Sequence, residues 1–209
     1  MEPGTSSYKI ILGSSSIARR KILSQMGYQF TLMTADIDEK SIRKEIPEEL
    51  VMALAEAKAN AIISKLQTTG NQERVDEPTL LIAADTVVVY EGVIREKPSN
   101  KQEARQFLKD YSGRKAATVG SVLVTNLKTG LRKGDSDRVE IHFNEIPDEI
   151  IEKLVDEGIT LNVAGGLIIE HPLIFPYVKD VVGTIDSVMG LPKDLTEKLL
   201  KAVLYNDEK

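Results

Sequence analysis

Apolar residues fall along this chain in two rhythms. Continuous runs of Ile, Leu and Val mark strands, and 3.6-residue spacing marks the helices between them. Residues 8–12 (YKIIL) read as a short strand ending at Gly13. Residues 16–26 read as a helix, with Ile17, Ile22 and Leu23 near one face and Gly27 as its C-cap. Residues 29–33 read as a second strand, which leads into an acidic turn, Asp36-Ile37-Asp38-Glu39. Pro47 suits the first position of a helix, and Glu48 and Glu49 suit its positive first turn. Leu50, Leu54, Ala57, Ala61 and Leu66 keep the helical period, and the polar stretch 68–78 reads as a loop.

Residues 80–90 (LLIAADTVVVY) are apolar almost throughout, as expected of a strand buried on both faces. Glu91-Gly92 turns the chain into 93–98, and 100–111 form an amphipathic helix stopped by Ser112-Gly113. Residues 117–125 and 138–143 read as paired strands around a turn-rich 128–137. A helix follows from Pro147 to Glu157, capped by Gly158. Residues 163–172 carry Ala164-Gly165-Gly166, a further strand lies within 178–189, and Pro192 begins a last helix ending near residue 203. The order predicts an α/β fold: a mixed, twisted β-sheet flanked by helices, in a single domain over 8–205 after a flexible 1–7.

Composition narrows the class. The chain has 209 residues, of which 42% are hydrophobic, enough to bury a core and too many for a disordered chain. It has no cysteine, which excludes disulfides, thiolate metal sites and a cysteine nucleophile. Its 32 acidic and 27 basic residues leave a formal charge of −5, which argues against a general nucleic-acid footprint. No basic, then apolar, leader opens the sequence, and no run approaches the ~20 apolar residues of a membrane span. The expectation is a cytoplasmic protein without membrane or nucleic-acid partners.

Five places can carry chemistry. Gly13-Ser14-Ser15-Ser16 leads a strand into a helix N-terminus, where free N–H groups favour an anion, and Arg19 adds a forked contact. The plainer reading is that the serines cap the helix and the arginines face water. The three carboxylates of 36–39 suit a hard divalent cation or a solvated turn. Asp85, followed by Thr86, interrupts an apolar strand, so its charge needs a metal, a cation or backbone donors. Lys58 lies in LAEAKANA and Lys97 precedes Pro98. Either is a point charge for phosphate, or, taken alone, a surface lysine. His142 and His171 have no metal-ligand spacing and read as structural. Neither GxxxxGK[ST], GxGxxG nor GxSxG is present.

In order, these elements resemble the Maf family of nucleoside triphosphate pyrophosphatases, relatives in fold of the inosine triphosphate pyrophosphatases. The resemblance runs from about residue 8 to 203. It rests on Ser14-x-Ser16-x-x-Arg19, Asp38-Glu39, LAEAKA around Lys58, AADTVV around Asp85, EKP around Lys97, Ser112-Gly113, Ala164-Gly165-Gly166 and Gly190-Leu191-Pro192. It implies two lobes around a central cleft and metal-dependent hydrolysis of a nucleoside triphosphate at the α-phosphorus, releasing pyrophosphate. Nucleotide-pool sanitation is the setting it suggests. Ser14, Ser16 and Arg19 would hold phosphate, and Lys58 and Lys97 would neutralise it. Glu39 and Asp85 would engage Mg²⁺ or Mn²⁺, with Asp85 also activating water. The resemblance further implies a homodimer.

Base preference is mixed. Ile17-Ala18-Arg19 replaces the Pro-Arg-Arg or Pro-Trp-Arg of many members, so Ala18 stands where a large side chain can touch the base. Thr86 resembles members acting on pyrimidine triphosphates, and Glu170 resembles those acting on 7-methylguanosine triphosphate. Two rival functions stand beside this one. The first is a nucleotide-sensing or division-regulating protein with incidental hydrolysis. The second is a haloacid-dehalogenase-type phosphatase using Asp36 as nucleophile and releasing inorganic phosphate.

Overall fold

The computed structural model describes residues 8–68 and 77–205. The N-terminal residues 1–7 and most of the polar loop, 69–76, lie outside the described residues. Among the described residues seven strands hydrogen-bond into one mixed sheet. They are β1 (Lys9–Leu12), β2 (Thr31–Leu32), β3 (Thr79–Tyr90), β4 (Val93–Arg95), β5 (Lys115–Asn126), β6 (Arg132–Phe143) and β7 (Val178–Val182). Their order is β2-β1-β3-β5-β6-β7, with β4 added to β3. β1 runs parallel to β2 and β3, in register Ile11↔Thr31 and Ile11↔Leu81. β4 is antiparallel to β3 and β7 to β6. The expected α/β class and mixed sheet are what the chain adopts.

The helices are α1 (Ile17–Gln25), α2 (Pro47–Thr68), α3 (Lys101–Tyr111), α4 (Asp148–Asp156), α5 (Ile185–Val188) and α6 (Lys193–Leu204), with 3₁₀ turns between them. The chain divides into two compact units. One comprises residues up to 85, 121–136 and 190 onwards; the other comprises 86–120 and 137–189.

In the first unit α2 packs on the sheet through its small residues. Ala55, Ala59 and Ile62 meet Ile11, Leu81, Ala83 and Leu123, all buried. Alanine at two successive helical turns lets the helix axis come close to the strands. Gly13 continues this contact where β1 ends. A Cβ there would lie 2.6 Å from Ile62 Cδ1 and 3.2 Å from the carbonyl oxygen of Ile82, so a larger residue at the start of the serine loop would force its neighbours to shift.

The second unit is built on aromatic packing. Tyr111 is fully buried, edge-on to Tyr90 (5.8 Å between ring centres) and stacked on Phe143 (6.1 Å). Burial pushes its hydroxyl up to about 12, and that hydroxyl donates to the carbonyl of Gly165 at 2.9 Å. Arg95 lies over the rings of Tyr90 and Phe107, at 4.4 and 4.3 Å, and pairs with Asp110 at 2.5 Å.

Several boundaries differ from the sequence reading. β6 starts at Arg132, not 138, so the polar run 132–137 is strand and the turn is confined to 127–131. Asn126 supplies that turn, its side-chain oxygen accepting from the N–H groups of Lys128 and Thr129. Gly134, read as a turn residue, is a ladder position in close packing: a Cβ would sit 2.8 Å from Leu123 Cδ1. β2 shrinks to two residues, and α2 continues through Thr68.

Gly165 joins a left-handed backbone (φ +59°) to a site with no room for a methyl group, since a Cβ would lie 2.6 Å from Val88 Cβ and 2.7 Å from the Tyr111 hydroxyl. Gly165→Ala is therefore expected to lower stability by more than about 2 kcal/mol, read as the urea midpoint of the purified variant.

Candidate active site

The apolar strand β3 carries one carboxylate inward. Asp85 is buried, and its charge is matched from α2: Lys58 Nζ donates to Asp85 Oδ1 at 2.5 Å. The same ammonium pairs with Glu39 Oε1 at 3.0 Å. Lys58 taken alone reads as a surface lysine, but its side chain is only 14% exposed. The alanines around it leave space for the stem, and the two carboxylates hold the head. A lysine so placed offsets the desolvation of Asp85, which would otherwise cost several kcal/mol, on the order of the penalty for an unpaired buried ion.

Glu39 reaches this cluster from a 3₁₀ turn, Glu39–Ser41, that begins directly after Asp38. Its neighbours do not follow it. Asp36 and Asp38 are exposed, and among the described residues no three His, Asp or Glu side chains form a metal-ligating group. The acidic turn thus contributes Glu39 to the cluster, while its other two carboxylates are surface groups.

The serine loop shapes Arg19. Ser16 caps α1, its hydroxyl accepting from the backbone N–H of Arg19 at 3.3 Å. Ser14 is buried, and its hydroxyl oxygen accepts from the Ser16 N–H at 3.1 Å and from Arg19 Nη1 at 3.3 Å. Arg19 Nε donates to the carbonyl oxygen of Gly190 at 2.8 Å. The capping half of the plainer reading therefore holds, but Arg19 does not face water: it is bonded to Ser14 and Gly190. Burial pulls the Arg19 guanidinium below its ordinary value, against the opposing charges of Asp85 and Glu39. It stays protonated, because an arginine does not lose its proton in a protein. Asp85 and Glu39 thus act on the charge of Arg19 as well as on Lys58, in one electrostatic cluster. Its two cations and two carboxylates cancel.

The remaining candidates belong to the second unit. Thr86 follows Asp85 on β3 and, by strand alternation, points to the other face. Lys97 is exposed between β4 and α3, directly before the buried Pro98. The N–H of Gly165 donates to the carbonyl of Glu96 at 2.8 Å, so the Ala-Gly-Gly turn holds the backbone next to Lys97. Glu170 is exposed on a turn after the 3₁₀ segment Ala164–Gly166. Both histidines are engaged structurally. His142 Nε2 meets Glu140 at 2.7 Å, and His171 accepts from the Leu173 N–H through Nδ1 while its Nε2 faces Glu157 at 3.0 Å. Ser112 accepts from the Ile146 N–H at 2.7 Å.

Sequence reasoning missed one participant. The Gly190 carbonyl touches Arg19 across 171 positions of chain, and a backbone oxygen leaves no side-chain signal. The Gly-Leu-Pro motif itself was the available pointer, though locally it reads only as a turn.

The model of the family described as Maf-like protein matches residues 9–203. Over 194 residues the chain is 39% identical to a 7-methyl-GTP pyrophosphatase of Dictyostelium discoideum, a match covering 93% of this chain and 96% of that one. It is 32% identical over 184 residues to a dTTP/UTP pyrophosphatase of Alkaliphilus metalliredigens, covering 88% and 90%. A second dTTP/UTP pyrophosphatase, from Syntrophus aciditrophicus, is 32% identical over 193 residues, covering 92% and 89%.

The ion cluster has a direct stability test. Lys58→Met leaves Asp85 buried without its cation and is expected to cost about 3 kcal/mol in urea unfolding. Adding Asp85→Asn to that variant should recover part of the loss, because the uncompensated charge is gone.

Proposed function

The chain belongs to the Maf-like protein family, and from that premise we propose that it is a metal-dependent hydrolase of nucleoside triphosphates that releases pyrophosphate. The observation that carries this reading is the Lys58 ammonium set between Asp85 and Glu39, in one field with Arg19. Water adds at the α-phosphorus, the bond to the bridging oxygen breaks, and pyrophosphate leaves with the electron pair. Little covalent chemistry is asked of the protein, so positioning and charge matter most. Asp85 orients the water and takes its proton on a carboxylate oxygen. Arg19, Lys58 and Lys97 bind the phosphates and offset charge that moves toward the leaving group. Ser14 and Ser16 keep the loop and Arg19 in shape, and Thr86 takes part in substrate binding.

A divalent cation fits the donor set. The four charges of the cluster cancel, whereas a nucleoside triphosphate carries about four negative charges that need further cations. Oxygens of Asp85 and Glu39 already converge on one cationic centre, the Lys58 ammonium. Hard carboxylate oxygens suit Mg²⁺ and Mn²⁺ alike. Such an ion, when bound, supplies positive charge against the phosphate oxygens.

For the base, we favour 7-methylguanine. Glu170 offers a negative charge to a base made cationic by methylation, and the 39% identical relative bears that activity in its name. Thr86 supports pyrimidine triphosphates as the second class. A nucleotide-pool role in the cytoplasm, by a homodimer, would accord with this chemistry.

A pyrophosphate-release screen with Mg²⁺ and with Mn²⁺ across 7-methyl-GTP, dTTP and UTP tests the reading. Pyrophosphate from at least one triphosphate is expected; inorganic phosphate instead would favour the Asp36 phosphatase, and no product at all would favour a sensor. Asp85→Asn should lower kcat about a thousandfold while urea unfolding stays cooperative. Glu170→Gln should reduce kcat/KM for 7-methyl-GTP about tenfold relative to dTTP, measured side by side.

A further inference from the structure

Arg19 is held by a carbonyl from far along the chain. Its Nε donates to Gly190 O at 2.8 Å, and its Nη1 reaches Ser14 Oγ at 3.3 Å. Two donors of one planar fork, tied to two partners, set the plane of the guanidinium as well as its position. The Gly190 partner is neutral. A carbonyl orients an arginine without adding a negative charge beside it, which leaves the local field more favourable to an anion than a carboxylate at the same place would.

The carbonyl is itself well anchored. Gly190 has φ +99°, a backbone conformation that side-chain-bearing residues rarely adopt. Leu191 is fully buried. The carbonyl of Pro192 accepts from both the N–H (2.9 Å) and the hydroxyl (2.7 Å) of Thr196, which is also fully buried. The helix that follows, α6, is tied down at two further points. Asn126 Nδ2 donates to Val203 O at 3.1 Å, and the Tyr28 hydroxyl donates to Glu197 Oε2 at 2.6 Å.

We propose that Gly190-Leu191-Pro192 is a positioning element: it presents the Gly190 carbonyl to Arg19 Nε and so aims the guanidinium at the phosphate chain of the substrate. The proposal rests on the pyrophosphatase reading for its ligand, a polyphosphate, and deepens it by giving a role to a motif that carries no reactive side chain. A substitution at 190 disturbs the carbonyl through its backbone conformation, and the effect reaches substrate through Arg19.

A double-mutant cycle separates this role from a structural one. The variants are Gly190→Ala, Arg19→Lys and the pair, with Thr196→Val as a milder disturbance of the same segment should Gly190→Ala fold poorly. Affinity for inorganic pyrophosphate is measured by calorimetry, with kcat and KM for the preferred triphosphate beside it. Gly190→Ala should weaken pyrophosphate binding about tenfold in the wild-type background and less than twofold in the Arg19→Lys background. Thr196→Val should act in the same direction, more weakly, and again only when Arg19 is present. The arginine Nε–H resonance that disappears in Arg19→Lys should shift or broaden in Gly190→Ala.

Equal losses in both backgrounds, or an unmoved Nε–H resonance, would overturn the proposal. If no triphosphate yields pyrophosphate, the enzymatic reading fails, and the resonance of Arg19 still decides whether Gly190 holds it.

Discussion

The site depends on one arrangement, a lysine ammonium shared by two carboxylates from different parts of the chain. Asp85 sits in a strand buried along most of its length, where an unpaired charge would be very costly. Lys58 offsets that cost from α2, and Glu39 joins from a 3₁₀ turn. The contact thereby links three stretches of sequence: the acidic turn, the long helix and the apolar strand. Of the two paired carboxylates Glu39 is 40% exposed, while Asp85 and Lys58 are largely buried, at 10% and 14%. A cluster that is neutral and reachable can exchange its internal cation contacts for contacts with a charged ligand at modest cost.

Much of the remaining design works through backbone groups. Gly13 brings the start of the serine loop against Ile62 and Ile82. Gly165 donates its N–H to Glu96 and accepts the Tyr111 hydroxyl on its carbonyl, so one residue ties the turn before Lys97 to the aromatic core of the second unit. Gly190 offers its carbonyl to Arg19. At each of these positions a side chain would either collide or strain the backbone. The charged residues do the electrostatic work, and the glycines determine where those residues can be.

Secondary structure was legible because burial follows local periodicity. The 80–90 run, the alanine-spaced helix and the capping serine each announce themselves within a few residues, and all appear in the structure. At 132–137 Gly, Asp and Ser suggest a turn. Sheet pairing and the close packing of Gly134 keep those residues in a strand. The members of the ion cluster, Glu39, Lys58 and Asp85, were legible too, through motif order. What each one touches was not. Lys58 looks like any lysine in an alanine-rich helix, and the exposed Asp36 and Asp38 look no different from Glu39 beside them.

By itself, then, the sequence determined the α/β class, the order of elements and the residue types available for phosphate chemistry. These depend on local patterning and composition, which a chain carries at every point. Tertiary structure decided which of the acids turns inward, that Lys58 is buried between two carboxylates, and that Arg19 leans on a carbonyl 171 positions away. Those facts depend on contacts between distant segments. Their energies come from desolvation and geometry, which exist only once the sheet has brought the segments together.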